Sequence, residues 1–199
     1  MSESMERVTG LLLAGGQAKR MGSINKGAVQ LNDRPFAELV IGNLSKQVDD
    51  IVISANEYVS YFKPFGFEVI KDKREGFLGP LAGIESALIE IPDIQWLFCA
   101  TVDTPFFPDD LVSVLLQKAK ENDKLCVMPV HNGRRYPLHS LIHGTLLPSL
   151  SSFLDSGERA VGYWLRKCGV LEVKVEAPFP AFENINTLEE LSLLKRNTK

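Results

Sequence analysis

Three cysteines in 199 residues, Cys99, Cys126 and Cys168, are odd in number, far apart and set in apolar surroundings. They form no C-x-x-C pair, so a disulfide framework, a thiol redox motif and a cysteine zinc site are excluded, and reduced core thiols are expected. Charge of one sign is also lacking. A formal net charge of −3 provides none of the basic excess expected of a general nucleic-acid or membrane-surface binder. Long apolar runs are missing too: the densest, residues 96–102, falls far short of the ~20 needed to span a bilayer. Glu3 and Glu6 precede the first apolar stretch, unlike a signal peptide, so a cytoplasmic protein is expected. His131, His139 and His143 are not spaced as a zinc set. Two phosphate-loop spellings are absent as well. No G-x-G-x-x-G opens a helix and no Gly-Lys-Ser/Thr closes a P-loop, which weighs against hydride transfer and P-loop hydrolysis.

What is present is an apolar strand running into LLLAGGQAKRMGSINKG, residues 11–27. Gly15 and Gly16 lack the Cβ that would keep a ligand off the backbone, so successive N–H groups can turn towards one anion; Gly22 follows in the same loop. Arg20 offers a bidentate guanidinium and Lys26 a point charge, a combination suited to a nucleotide triphosphate.

Along the chain, short apolar runs at 8–14, 51–55, 67–70, 96–101 and 125–130 alternate with helix-period segments at 36–46, 81–91 and 111–121. Pro35, Pro80 and Pro108 sit where helices would begin. This β-α-β alternation predicts an α/β fold with a mainly parallel sheet covered by helices on both faces. Residues 135–142, after the turn Asn132-Gly133, predict an antiparallel excursion; segments 146–154 and 159–167 predict helices, and 188–195 a terminal one. At this length one domain over 1–199 is expected, with 1–7 a flexible N-terminus.

Ligands of such sheets bind beyond the carboxyl ends of the strands. The glycine loop after Leu13, the Asp72 loop and Asp103 all follow predicted strand ends. Asp103 in Thr101-Val102-Asp103-Thr104-Pro105 can hold Mg²⁺, which needs only one or two carboxylates alongside phosphate oxygens and water, or it can close a turn before Pro105. Gly79-Pro80-Leu81-Ala82-Gly83 can admit a flat base against the backbone, or simply start a helix. Arg134, Arg135 and Tyr136 suit an anionic, flat second substrate, and equally a solvated turn. Asn184 and Asn186 fall on one side of an extended chain, where two amides can hold a heterocycle or phosphate, or Asn186 can cap the last helix.

Taken together, LAGG-x-x-x-RMG…KG, GPLAG, VDTP, RRYPL and FENINT resemble the molybdenum cofactor guanylyltransferases, from about Val8 to Leu194. The resemblance implies a Rossmann-like three-layer nucleotidyltransferase fold. It further implies that Leu13, Ala14, Gly15, Lys26, Asp72 and Asp103 contact GTP, that Asp103 binds Mg²⁺, and that Asn184 and Asn186 face molybdopterin. The implied reaction is attack by the terminal phosphate of molybdopterin, with or without molybdenum, on the α-phosphorus of GTP. Cofactor-biosynthesis proteins and molybdoenzyme chaperones are the implied transient partners. Ser23 and Asn25 stand where Gly and Asp are usual, and Ser54 replaces an Asn that in relatives helps bind nucleotide. Two other readings stay open: a relative using CTP or another phosphorylated acceptor, which base preference decides, and a catalytically silent nucleotide-binding or partner-docking module, motivated by these departures.

Overall fold

The computed structural model describes residues 6–15, 25–76, 78–185, 187, 189–190 and 192. β1 (Val8–Leu13) is an interior strand of the sheet, and its residues alternate between two cores. Val8 and Leu12 face one, with α1 (Phe36–Leu44), while Leu11 and Leu13 face the other, with α3 (Pro80–Glu90). Burial on both faces explains why the strand reads as a continuous apolar run. β6 (Trp96–Thr101) repeats the pattern, Phe98 and Ala100 on one face and Leu97 and Cys99 on the other. Burial drives the Cys99 thiol pKa up to about 12, so the group is an inert core side chain.

The other strands, in chain order, are β2 (Gln30–Leu31), β3 (Arg34–Pro35), β4 (Asp50–Ser54), β5 (Glu68–Ile70), β7 (Cys126–His131), β8 (Arg134–Arg135), β9 (Leu141–His143) and β10 (Leu171–Lys174). Among the described residues the main sheet runs β10-β7-β9-β6-β1-β4-β5, with β8 pairing β7 and β2-β3 forming a separate hairpin. β5, β4, β1 and β6 are mutually parallel, and β9 runs antiparallel between β6 and β7. Helices α1 and α4 (Leu111–Glu121) cover one face. α3, α5 (Leu147–Asp155) and α6 (Val161–Lys167) cover the other, completing an α/β/α stack. No described helix is long and apolar enough to cross a membrane.

Several features differ from the sequence expectation, the β2-β3 hairpin among them. The strand predicted over 135–142 is interrupted: β8 ends at Arg135, a 3-10 turn follows over Pro137–His139, and pairing resumes in β9. Pro137 has no N–H to donate to a ladder, which accounts for the break. β10 was hidden because it is a four-residue edge strand with only Val173 buried. The short helix α2 (Val59–Phe62) was also unforeseen. Of the predicted terminal helix, Glu189, Glu190 and Ser192 are helical and the remainder lies outside the described residues.

Candidate active site

From β1 the chain crosses to β4 on one side, whereas from β6 it continues to the strands on the other, so connections diverge between β1 and β6. Such a switch point opens a crevice at the carboxyl ends. Leu13 is in register with Thr101, and Val102 N donates to Leu13 O, so Ala14-Gly15 and Val102-Asp103 leave the sheet side by side. A cleft of about 480 Å³ lies there.

Lys26 reaches the cleft from a short 3-10 turn, Lys26–Ala28. Asn25 caps that turn, its side-chain oxygen accepting from Gly27 N at 3.0 Å. A Cβ on Gly27 would lie 2.9 Å from Phe62 Cζ, so glycine lets the turn seat against α2, where the Tyr61 hydroxyl donates to Gly27 O. The turn delivers Lys26 Nζ to 3.0 Å from Asp103 Oδ2, with each side chain about one-fifth exposed, at 22% and 19%. An ammonium carried by a 3-10 turn and a carboxylate carried past the end of β6 thus share one wall.

The loop after Asp103 is held in turn. Thr104 N donates to Thr101 O, and Asp103 O accepts from Ile185 N at 2.8 Å. Phe182 N donates to Phe106 O, so the late segment lies along this loop and places Asn184 at the cleft. Across the opening, Asp72 follows β5 and Asn56 follows β4, and both line the cleft. Burial raises the Asp72 carboxyl pKa above its ordinary value, opposed by a hydrogen bond from Asn56.

Gly79 opens α3 at φ 77°, ψ −170°, a backbone region essentially restricted to glycine. A Cβ on Gly83 would sit 2.5 Å from Ser54 Oγ, so this glycine allows α3 to pack directly on the end of β4. The loop between Asp72 and α3 is pinned from behind. Lys73 N donates to Ser86 Oγ, and Arg74 forms a bidentate pair with the buried Glu85 while also reaching Asp155 of α5.

Of the residues singled out in the sequence, Leu13, Ala14, Gly15, Lys26, Ser54, Asp72, Gly79, Pro80, Gly83, Asp103 and Asn184 all line the cleft. Leu81 does not; it points into the core beside Ile84. Arg135 is also absent from the wall, its Nε donating to Glu172 Oε1 at 2.7 Å. Tyr136 instead stacks on Phe182, centroids 4.6 Å apart, with the Arg134 guanidinium 5.4 Å from its ring centroid. Gly16, Arg20, Gly22, Ser23 and Asn186 lie outside the described residues. Sequence reasoning did not select Asn56, Glu57, Tyr58 or Leu138, which also line the cleft. The strand-end rule would have reached Asn56, the second residue after β4.

Among the described residues no three His, Cys, Asp or Glu side chains gather as a metal cluster. Asp103 alone fits Mg²⁺ as one hard oxygen donor, provided a nucleotide supplies further oxygens. Among the described residues the wall combines the Lys26 ammonium and the Asp103 carboxylate with Gly15, where even a Cβ would meet nothing within 4 Å, which suits binding and charge stabilisation of a phosphate chain.

The family model described as "MobA-like NTP transferase domain" matches residues 10–168. A molybdenum cofactor guanylyltransferase of Shewanella halifaxensis is 36% identical over 184 residues, covering 92% of each chain. A protein of the same name from Photobacterium profundum is 36% identical over 189 residues, covering 94% of this chain and 95% of the relative. In three dimensions, the molybdopterin-guanine dinucleotide biosynthesis protein A of Archaeoglobus fulgidus superposes with a TM-score of 0.77. At 23% identity it covers 95% of this chain and 97% of its own, and supports the fold.

Proposed function

The chain belongs to the MobA-like NTP transferase family and is a nucleotidyltransferase, and from that premise we propose that it transfers GMP from GTP to the terminal phosphate of molybdopterin, with or without molybdenum. The observation that carries the reading is the Lys26–Asp103 pair, 3.0 Å apart, beside the uncrowded Gly15 at the switch point. One oxygen of the acceptor phosphate bonds to the α-phosphorus, the bond from that phosphorus to the bridging oxygen breaks, and pyrophosphate leaves with the electron pair. A phosphate monoester with a second pKa of ~6 is largely ionised at neutral pH, so no protein base is needed to make the nucleophile.

Catalysis then rests on positioning and electrostatics. The backbone of residues 13–15 seats the phosphate chain, and Lys26 neutralises charge growing on the departing pyrophosphate. Lys26 Nζ and Asp103 Oδ2 pair at 3.0 Å, so cation and carboxylate act at one position of the cleft. Asp103 is the residue that would hold Mg²⁺; when bound, that ion supplies Lewis-acid charge stabilisation at phosphate oxygens. Gly79, Pro80 and Gly83 form the wall assigned to the base, and Asn184 the side assigned to the acceptor.

The test incubates purified protein with Mg²⁺, molybdopterin and GTP, CTP or ATP separately, measuring pyrophosphate and the dinucleotide product. GTP-dependent product is expected. Product with CTP alone overturns the choice of nucleotide, and tight GTP binding without pyrophosphate release overturns the catalytic reading.

A further inference from the structure

The parallel pair β4/β5 ends in an arrangement that strand pairing alone does not require. Ser54 lies opposite Ile70, and Ala55 N still donates to Ile70 O at 2.9 Å. Two residues beyond each of these positions, Asn56 stands opposite Asp72, and there a side chain takes over the ladder. Asp72 N donates to Asn56 Oδ1 at 2.8 Å, while Asn56 Nδ2 donates to Asp72 Oδ2 at 2.7 Å.

Both bonds come from one planar amide, so they restrain the Asp72 backbone and its carboxylate together. The geometry demands an acceptor and a donor on the same short side chain. Asparagine has both; aspartate has no donor when ionised, and alanine has neither. Both residues are half-buried and line the cleft. A carboxylate has about four lone-pair sites, and among the described residues Asp72 Oδ1 has no hydrogen-bond partner. Asn56 therefore occupies one oxygen and leaves the other available to a ligand.

We propose that Asn56 is a positioning residue which fixes Asp72 so that Oδ1 accepts from an N–H or O–H donor of the bound nucleotide. The proposal rests on the nucleotide-site reading above. A side chain that turned freely would lose rotamer entropy on binding, whereas the amide clamp has already removed it. A hydrogen bond to a charged acceptor is stronger than a neutral one, so loss of its alignment is expected to weaken binding about tenfold.

The experiment titrates Mg²⁺ with GTP, CTP or ATP into the full chain by calorimetry, then runs a double-mutant cycle with the nucleotide bound most tightly. Asn56→Ala is expected to weaken binding about tenfold in the parent and not at all in an Asp72→Ala background. Asn56→Asp retains the acceptor for Asp72 N–H but loses the donor, and is expected to weaken binding as well. In turnover the loss falls on KM for the nucleotide, whereas collapse of the cleft would lower kcat too. Equal losses for Asn56→Ala in both backgrounds, or parental affinity in Asn56→Asp, would overturn the role of Asn56. A parent that binds none of the three nucleotides overturns the nucleotide-site reading itself, a result distinct from an additive cycle.

Discussion

Replacing Arg74 by alanine tests how the loop carrying Asp72 is held. The guanidinium donates to Glu85 through Nε at 2.6 Å and Nη2 at 2.8 Å, and to Asp155 through Nη1 at 2.6 Å. The Glu85 side chain is only 3% exposed, so without Arg74 its charge stays buried with a single remaining donor among the described residues, Ser151 Oγ. Breaking one partner of a buried ion pair costs about 3–5 kcal/mol. Arg74 is 28% exposed, which places the expected loss near the low end, about 3 kcal/mol; the exposed Asp155 adds at most about 1 kcal/mol. For a protein of this size that corresponds to a fall in Tm of roughly 6–12 °C. Urea and thermal melts measure it directly. The sign of the pH dependence is more diagnostic. In the parent, hydrogen bonding to Arg74 holds the Glu85 carboxyl below its ordinary value of 4.5, against the opposing effect of burial. The unfolded chain therefore binds more protons near and below that value, and this stabilisation is present above pH 4.5 and lost as pH falls through the folded value. In Arg74→Ala, burial dominates and the carboxyl moves up instead. The folded variant then binds a proton that the unfolded chain has released, so its stability rises as pH falls from 7 towards 5. A loss below about 0.5 kcal/mol at pH 7, or an unchanged slope between pH 5 and 7, would refute this reasoning.

Three further outcomes follow from individual contacts. Asp103→Ala and Lys26→Ala are each expected to lower pyrophosphate release by at least about 100-fold with circular dichroism unchanged, as loss of transition-state charge stabilisation does elsewhere; near-parental turnover in either would remove that residue from the mechanism. Gly83→Ala drives a Cβ to within 2.5 Å of Ser54 Oγ and is expected to cost about 1–3 kcal/mol in urea melts, with part recovered by Ser54→Gly. His139 is fully enclosed by protein, its Nε2 has no partner among the described residues, and burial pushes its pKa down to about 4. Because the unfolded imidazole takes up a proton near pH 6.5 and the folded one does not, stability should drop by on the order of 3 kcal/mol from pH 7 to 4, measured by urea melts. His139→Leu should flatten that slope, and an equally steep decline in the variant would assign it to other groups.

Residues that announce themselves locally were legible before the fold was known. Asp103 ends an apolar run buried along its whole length, and Gly15 ends another, so the strand-end rule alone placed both at one edge. Residues whose setting depends on a distant neighbour were not. Nothing near Tyr136 tells that Phe182 stacks on its ring, and nothing near Arg135 tells that Glu172, on a strand too short to recognise, engages its guanidinium. Asn25 looked like a lost charge, yet its oxygen caps the turn that presents Lys26, a job requiring only an acceptor.

The same dependence on register gives meaning to the departure at position 54. Ser54 Oγ lies 2.5 Å from where a Cβ on Gly83 would be, so strand end and helix are matched in size, and the small side chain at 54 belongs to that close packing. Asn56 follows two residues later, on the same side of an extended chain, and carries both an amide donor and an amide acceptor to the cleft. Asn56 thus brings amide chemistry to this strand end, two residues beyond the last residue of β4 and directed at Asp72. That connection needs the pairing of Ser54 with Ile70, which sets Asn56 against Asp72 across 16 residues of sequence.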